Sequence, residues 1–502
     1  MKKKSRSQKA FLNFLIGMVY EAVAIAAGLI VPRLILTSYG SAYNGITHSI
    51  SQFISYIALM KAGIGGVTRS ALYKPLAKGD NEEISEVIAS TQRFMRKIAY
   101  LFVIFIVGLS IVYPLVVREF DFLFTASLVL IISISTFAEY YFGFSYQMLL
   151  MADQKQYIYS LVSIVVIVLN SIASIFLMNN GYSIHIVKLA STLIYMITPL
   201  FLYLYVSRKY KINHHAKPST THIAQRWDAF AQELSNFINN NTDIVVLTLF
   251  SSMAEVSVYT VYHYVSANIK KIVKLFTSSF GAAFGDMYAK GEYELFNRNL
   301  NIYELIIHSF VSIIYSTTLV MIVPFALIYT KGVTDISYAR PLFSIVLVTA
   351  SAFECFRVPY KTIVTSVGHF KQTRNGAIVE SIINIIISVA AVIRFGLIGV
   401  AIGTLIAMAF RSSELAYYIY KNITGKNYGQ YLLRVGLTLG TMAAVYLISL
   451  LYLPGELSIA AWLIYATITA IIAIIITVAV DLVFYHQETL TLIKKLKKMA
   501  LG

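Results

Sequence analysis

Three lysines, Lys270, Lys271 and Lys274, sit near the middle of an otherwise apolar stretch, and no acidic residue lies three or four positions from any of them. Positions three and four apart share one side of a helix. Ammonium groups gathered there without carboxylates favour an anionic ligand. Other ionisable residues interrupt apolar stretches in the same way. They are Glu21, Arg33, His48, Lys61 and Glu139 in the first half, and Glu233, Asp243, His263, Glu304, His308, Glu354, Arg357, Lys361, Glu380, Arg411 and Glu414 in the second. A charge in hydrocarbon is costly and marks a bundle interior or a watery path. Their spacing gathers them further: Asn44, Thr47, His48, Ser51, Gln52 and Ser55 form one polar stripe, and Glu233, Asn236, Asn240 and Asp243 another. Such faces cannot all look at lipid, so they predict an internal hydrated cavity. A plainer reading stands beside it. Glu354 with Arg357, and Arg411 with Glu414, have the spacing of intrahelical ion pairs, while Lys61, Lys361 and Arg411 are placed to snorkel toward headgroups.

The elements that position these groups are membrane spans. The chain has 502 residues, 58% hydrophobic and 13% charged, with a mean hydropathy of +0.70. Soluble domains carry about 25% charged residues. Apolar runs such as 98–117, 122–138 and 457–480 reach the roughly 18 residues that a helix needs to cross a bilayer. Only helices and closed barrels satisfy the backbone in lipid, and these runs lack a barrel strand's alternation. The predicted fold is an all-α integral membrane protein of about fourteen spans. The spans are 10–36, 44–67, 95–117, 121–148, 157–178, 184–207, 228–250, 256–285, 302–328, 339–366, 376–394, 397–420, 431–453 and 457–485. The second, seventh, eighth and tenth carry enough charge to escape a strict hydropathy cutoff. The first follows Lys2-Lys3-Lys4 and is too long for a signal peptide, so it reads as retained.

Alternate connections are rich in Lys and Arg, from Arg69, Lys74 and Lys78 to the tail Lys494, Lys495, Lys497 and Lys498. The positive-inside rule puts these in the cytoplasm, with both termini. The net charge of +17 is thus spread over loops, and the sequence offers no nucleic-acid domain. Two halves echo each other at an offset of 212 to 214 residues: Ala77-Lys78-Gly79-Asp80 with Ala289-Lys290-Gly291-Glu292, Lys155-Gln156 with Lys371-Gln372, and Glu21 with Glu233. Six spans per half give parallel repeats with a binding site between lobes. The predicted divisions are 1–207 for the first lobe, 208–226 for a cytoplasmic linker, 227–421 for the second lobe, and 422–502 for two further helices and a basic tail.

Soluble-enzyme motifs are missing. The chain has no G-x-x-x-x-G-K-[ST] loop and no H-E-x-x-H, and Cys355 is its one cysteine, so neither ATP hydrolysis nor a metal site is predicted. Gly63, Gly65 and Gly66 close the second helix and fit close packing or a hinge.

This pattern resembles the polysaccharide-exporter (Wzx-type) flippases of the multidrug/oligosaccharidyl-lipid/polysaccharide (MOP) superfamily. The resemblance spans the whole chain: a basic start, six plus six plus two spans, and a central basic connection. Local echoes are 239–249, a polar-then-Asp approach to an apolar run, and 256–262, where a tyrosine follows a short outer turn; Val258 stands where family members often have glycine. The resemblance implies a multi-pass protein of the bacterial cytoplasmic membrane. It implies a flippase that moves a polyprenyl-diphosphate-linked oligosaccharide outward by alternating access, among membrane lipids and beside polysaccharide-assembly glycosyltransferases and a polymerase. Lys270, Lys271, Lys274, Arg357, Lys61 and Arg33 would then meet the substrate's anion, His48 would join them in binding the substrate, and Tyr262 and Tyr264 would stack on sugar rings. Glu21, Glu139, Glu233 and Asp243 would serve proton or sodium coupling, with no other cofactor. A drug exporter of the same superfamily would want an acidic cavity, against which the lysines argue. A polysaccharide polymerase or ligase would want a sizeable outer loop, and a scaffold would leave the intramembrane charges unexplained.

Overall fold

A computed structural model describes residues 6–61, 64–213, 216, 241–277, 280–452 and 458–501. Among them every regular element is a helix. Eleven of the helices among the described residues are long and apolar enough to cross a membrane. The predicted second, seventh and eighth spans are outside that set, because their polar residues lower hydropathy and their helices are broken or described in part. The second is α2 (Ser41–Tyr56), a 3-10 turn (Ile57–Lys61) and α3 (Ile64–Lys78). Of the seventh, α10 (Asn241–Phe250) is described. The eighth is α11 (Met253–Thr277) and α12 (Phe280–Ala289).

The remaining elements of the first half are α1 (Arg6–Tyr39), α4 (Asn81–Val116), α5 (Phe122–Ala138), a π turn (Glu139–Gly143), α6 (Phe144–Ala152), α7 (Gln156–Asn179), α8 (Ile184–Tyr195) and α9 (Ile197–Lys209). The second half continues with α13 (Tyr293–Tyr329), α14 (Pro341–Phe356), α15 (Val358–Val367), α16 (Phe370–Phe395) and α17 (Leu397–Ile419). Then come α18 (Gly429–Ser449), α19 (Ile459–Phe484) and α20 (His486–Leu501), so the basic tail is helical.

Duplication is visible in these bounds. The long third helix of each half starts at Asn81 and Tyr293, a displacement of 212, and each carries a late proline, Pro114 and Pro324. The fifth helices start at Gln156 and Phe370, a displacement of 214. Local chemistry sets the ends. Asp80 caps α4 by accepting hydrogen bonds from the amides of Glu82 and Glu83 at 3.1 and 3.0 Å, with both glutamates favoured by the helix dipole. Gly368 closes α15 at φ 79°, a left-handed conformation that costs glycine nothing.

The chain divides into two compact units, Met1–Ser257 and Val258–Gly502. This boundary falls past the 208–226 connection, and hydrogen bonds show why. The polar stripe on α2 binds the segment that follows: Gln52 donates to Asn241 at 2.7 Å, Asn44 donates to Ser257 at 2.8 Å, and Ser49 lies 2.6 Å from Thr248. Tyr113 of α4 donates to Ser49 at 2.7 Å. A Cβ on Gly45 would collide with the Met253 carbonyl, so glycine there permits the approach. The stripe predicted to face a hydrated cavity therefore serves helix packing over these residues.

At one end of the first unit, Asp153 receives Lys155 at 2.6 Å, Lys9 at 3.2 Å and the Tyr210 hydroxyl at 2.6 Å. Burial alone would raise its pKa, but these partners together hold the carboxyl below its ordinary range. In the second unit, α18 and α19 pack on α13 through Val320, Met321, Val445 and Ala473. Polar contacts reinforce this seam: Trp462 to the Met321 carbonyl at 3.0 Å, Ser312 with Thr477 at 2.9 Å, and Arg434 with Glu304 at 3.7 Å. His308 accordingly meets Thr438 at 3.1 Å and stacks on Phe356.

Candidate functional site

The second unit holds a chain of alternating charges across four helices. Lys270 on α11 reaches Glu354 on α14 at 2.7 Å. Arg357, at the joint between α14 and α15, lies 3.5 Å from Glu354 and donates to Glu380 on α16 at 2.7 Å. Arg411 on α17 lies 3.5 Å from Glu380 and donates to Glu414 at 2.6 Å and to the Thr373 carbonyl at 3.1 Å. Glu354 and Glu380 are buried, with side chains 5% and 2% exposed, and Lys270 and Arg357 are 16% and 12% exposed. The expected lack of a counter-charge at Lys270 is therefore corrected. Its own helix offers no acid at helical spacing, Glu255 lying fifteen residues back in the first turn, but Glu354, 84 residues away, reaches it. The i,i+3 pairs Glu354–Arg357 and Arg411–Glu414 form as their spacing predicted.

A related pair is found among the described residues of the first unit. Lys61, ending the 3-10 turn of the second helix, meets Glu139 at 2.8 Å and lies 4.8 Å over the Tyr140 ring. Lys61 thus finds a partner within the protein instead of snorkelling. Glu139 opens the π turn of the fourth helix, a bulge that re-aims the side chains around it. It lines a cavity of about 200 Å³ with Tyr20, Tyr159, Tyr195, Ser163 and Gln147. Carboxylate, hydroxyl and amide oxygens of this kind suit a cation or a hydrogen-bonding ligand.

The other predicted residues are dispersed. Arg33 and His48 are half-buried on α1 and α2, Asp243 is buried on α10, and Glu21 is exposed on α1. Lys271 is exposed beside Lys270, and Tyr264 is half-buried. Tyr262 is wholly buried, donates to the Tyr338 carbonyl at 2.6 Å and sits edge-on to Phe343, so its ring cannot serve as a sugar platform. The Lys274 side chain and Glu233 lie outside the described residues. Sequence reasoning noted Glu380 and Arg411 as intramembrane charges without giving them a site role. It passed over Lys188, half-buried on α8, which makes no ion pair among the described residues. A lone lysine in an apolar run was the signal available.

No family model matches the sequence, and no curated relative does. Solved structures do match. An inward closed conformation of the lipid II flippase MurJ superposes with a TM-score of 0.71 at 15% identity, covering 93% of this chain and 99% of that one. An inward-facing multidrug-resistance MATE transporter of the MOP superfamily gives 0.61 at 16% identity, covering 86% and 99%. A MOP transporter from Pyrococcus furiosus whose binding pocket is described as reversed in polarity gives 0.53 at 13% identity, covering 87% and 100%. The chain therefore has the fold of the MOP-superfamily transporters, a multi-pass membrane architecture. That fold is shared by a lipid II flippase and multidrug transporters.

Proposed function

We propose that this protein is a flippase that carries a polyprenyl-diphosphate-linked oligosaccharide from the cytoplasmic to the outer leaflet of a bacterial membrane, both termini being cytoplasmic. The observation that carries the reading is the convergence of Lys270 and Arg357, from different helices, on the single carboxylate of Glu354. Two cations aimed at one anion, with Lys271 adjacent in sequence, form the arrangement that a diphosphate exploits. The MurJ-like fold supports the same reading. Alternating access moves the cargo, and Glu139 at its cavity takes the coupling proton or sodium ion. Glycosyltransferases supply the lipid-linked cargo, and a polymerase receives it.

A second reading has its own observation. The carboxylate-bearing cavity of the first unit suits a small organic cation, as a drug exporter would require. The test begins with Lys270, Lys271 and Lys274 replaced together by glutamine. Purified protein in proteoliposomes should lose transport of a lipid-diphosphate oligosaccharide by at least tenfold while remaining folded. Undiminished transport would refute the anion site.

A further inference from the structure

Resting on the flippase reading, we infer that the first unit carries a seat for one neutral sugar ring of the glycan, in the cavity that Glu139 borders. Two breaks in helical regularity meet there. The π turn Glu139–Gly143 bulges the fourth helix. On the facing side α8 gives way to α9 at Met196, and Pro199 follows in the first turn of α9. Proline has no amide hydrogen, so the carbonyl of Tyr195, a lining residue, lacks the donor that a regular helix would supply. The two stretches approach closely. A Cβ on Gly143 would lie 2.7 Å from the Pro199 side chain, so glycine permits the contact.

The walls are chemically mixed. Tyr20, Tyr159 and Tyr195 bring rings with hydroxyl tips, Gln147 an amide, and Val166 and Leu202 apolar surface. Such walls match a pyranose, which has apolar C–H faces and a rim of hydroxyls that both donate and accept. Size agrees with this. The cavity of about 200 Å³ has room for roughly six waters at ~30 Å³ each, the space of one hexopyranose. Drug-sized ligands take pockets of about 300–1,000 Å³. Charge decides between ligands. Of the described residues that line the cavity, Glu139 alone is charged, and the Lys61 ammonium at 2.8 Å balances it. An organic cation would have to expel that ammonium. A sugar hydroxyl donates to the carboxylate without disturbing it, because Lys61 holds Oε1 and the side chain is 44% exposed. The coupling ion proposed for Glu139 exchanges with Lys61 and leaves the ring's other contacts in place.

The probes are the methyl glycosides of glucose, galactose and mannose, titrated into the full chain in nanodiscs and read by saturation-transfer NMR. At least one should bind saturably, and tetramethylammonium should not displace it. Losing a hydrogen bond to the ring should weaken binding about threefold for Tyr159→Phe and about tenfold for Gln147→Leu. Tyr73→Phe, which removes an exposed hydroxyl from α3, should bind like the unsubstituted protein. No saturable binding of any glycoside, or binding indifferent to both lining substitutions in folded protein, overturns the sugar seat. Tetramethylammonium binding that Glu139→Gln abolishes, with the glycosides excluded, overturns it in favour of a cation site. If Gln147→Leu does not fold, Tyr159→Phe decides, and unchanged affinity counts against the seat. Export of a lipid-diphosphate oligosaccharide separates the two claims. Export lost on Lys270→Gln, beside failed glycoside binding, sinks the sugar seat alone. Export indifferent to Lys270→Gln sinks the reading beneath it.

Discussion

Lys61–Glu139 and Lys270–Glu354 join the second helix to the fourth helix of their own halves, at 2.8 and 2.7 Å, yet they live in different company. The first pair stands by itself at a cavity, its partners 26% and 44% exposed. The second is the end of a chain running through Arg357, Glu380 and Arg411, most of it buried. The two pairs join corresponding helices without occupying equivalent positions, since Lys270 follows Lys61 by 209 residues and Glu354 follows Glu139 by 215. One pair borders open space, and the other has gathered cations around carboxylates in a drier setting. Under the proposed function the halves do different work: exchange of a small ion in the first, handling of an anion in the second.

The comparison can be broken most forcefully at Glu380. Glu380→Gln keeps the volume but strips two buried guanidiniums of their shared counter-charge. Breaking a buried pair in this way costs about 3–5 kcal/mol, which should appear as a large fall in the thermal unfolding midpoint of the purified protein. A change as small as a surface substitution produces would show that the chain of charges is well hydrated. Lys61→Met should do far less. Its pair is partly exposed, and such pairs contribute about 0–1 kcal/mol, so unfolding should shift little. Transport, however, should change in its dependence on pH or sodium if Glu139 is the coupling carboxylate.

Much of this was legible in the sequence. The spans follow from hydropathy, and the repeat from short matches at one offset that the helix starts reproduce. The i,i+3 pairs follow from helical geometry. What could not be read was any partner distant in sequence. Lys270 looked bare because spacing reports only its own helix, whereas Glu354 arrives from α14. The α2 stripe was equally ambiguous. Polar side chains in a membrane helix either line water or bind a neighbouring helix, and Asn44, Ser49 and Gln52 do the latter. Tyr262 shows the same limit in an aromatic residue: its position in the sequence was correct for a span, but its hydroxyl is committed to Tyr338.

The central claim is that the cationic groups of the second half select a diphosphate cargo. The most direct measurement compares transport by one proteoliposome preparation of two cargoes, a polyprenyl-diphosphate oligosaccharide and a lipophilic organic cation. The expected result is transport of the diphosphate, lost when Lys270 is replaced, and none of the cation. Transport of the cation, with the diphosphate cargo left behind, would contradict it.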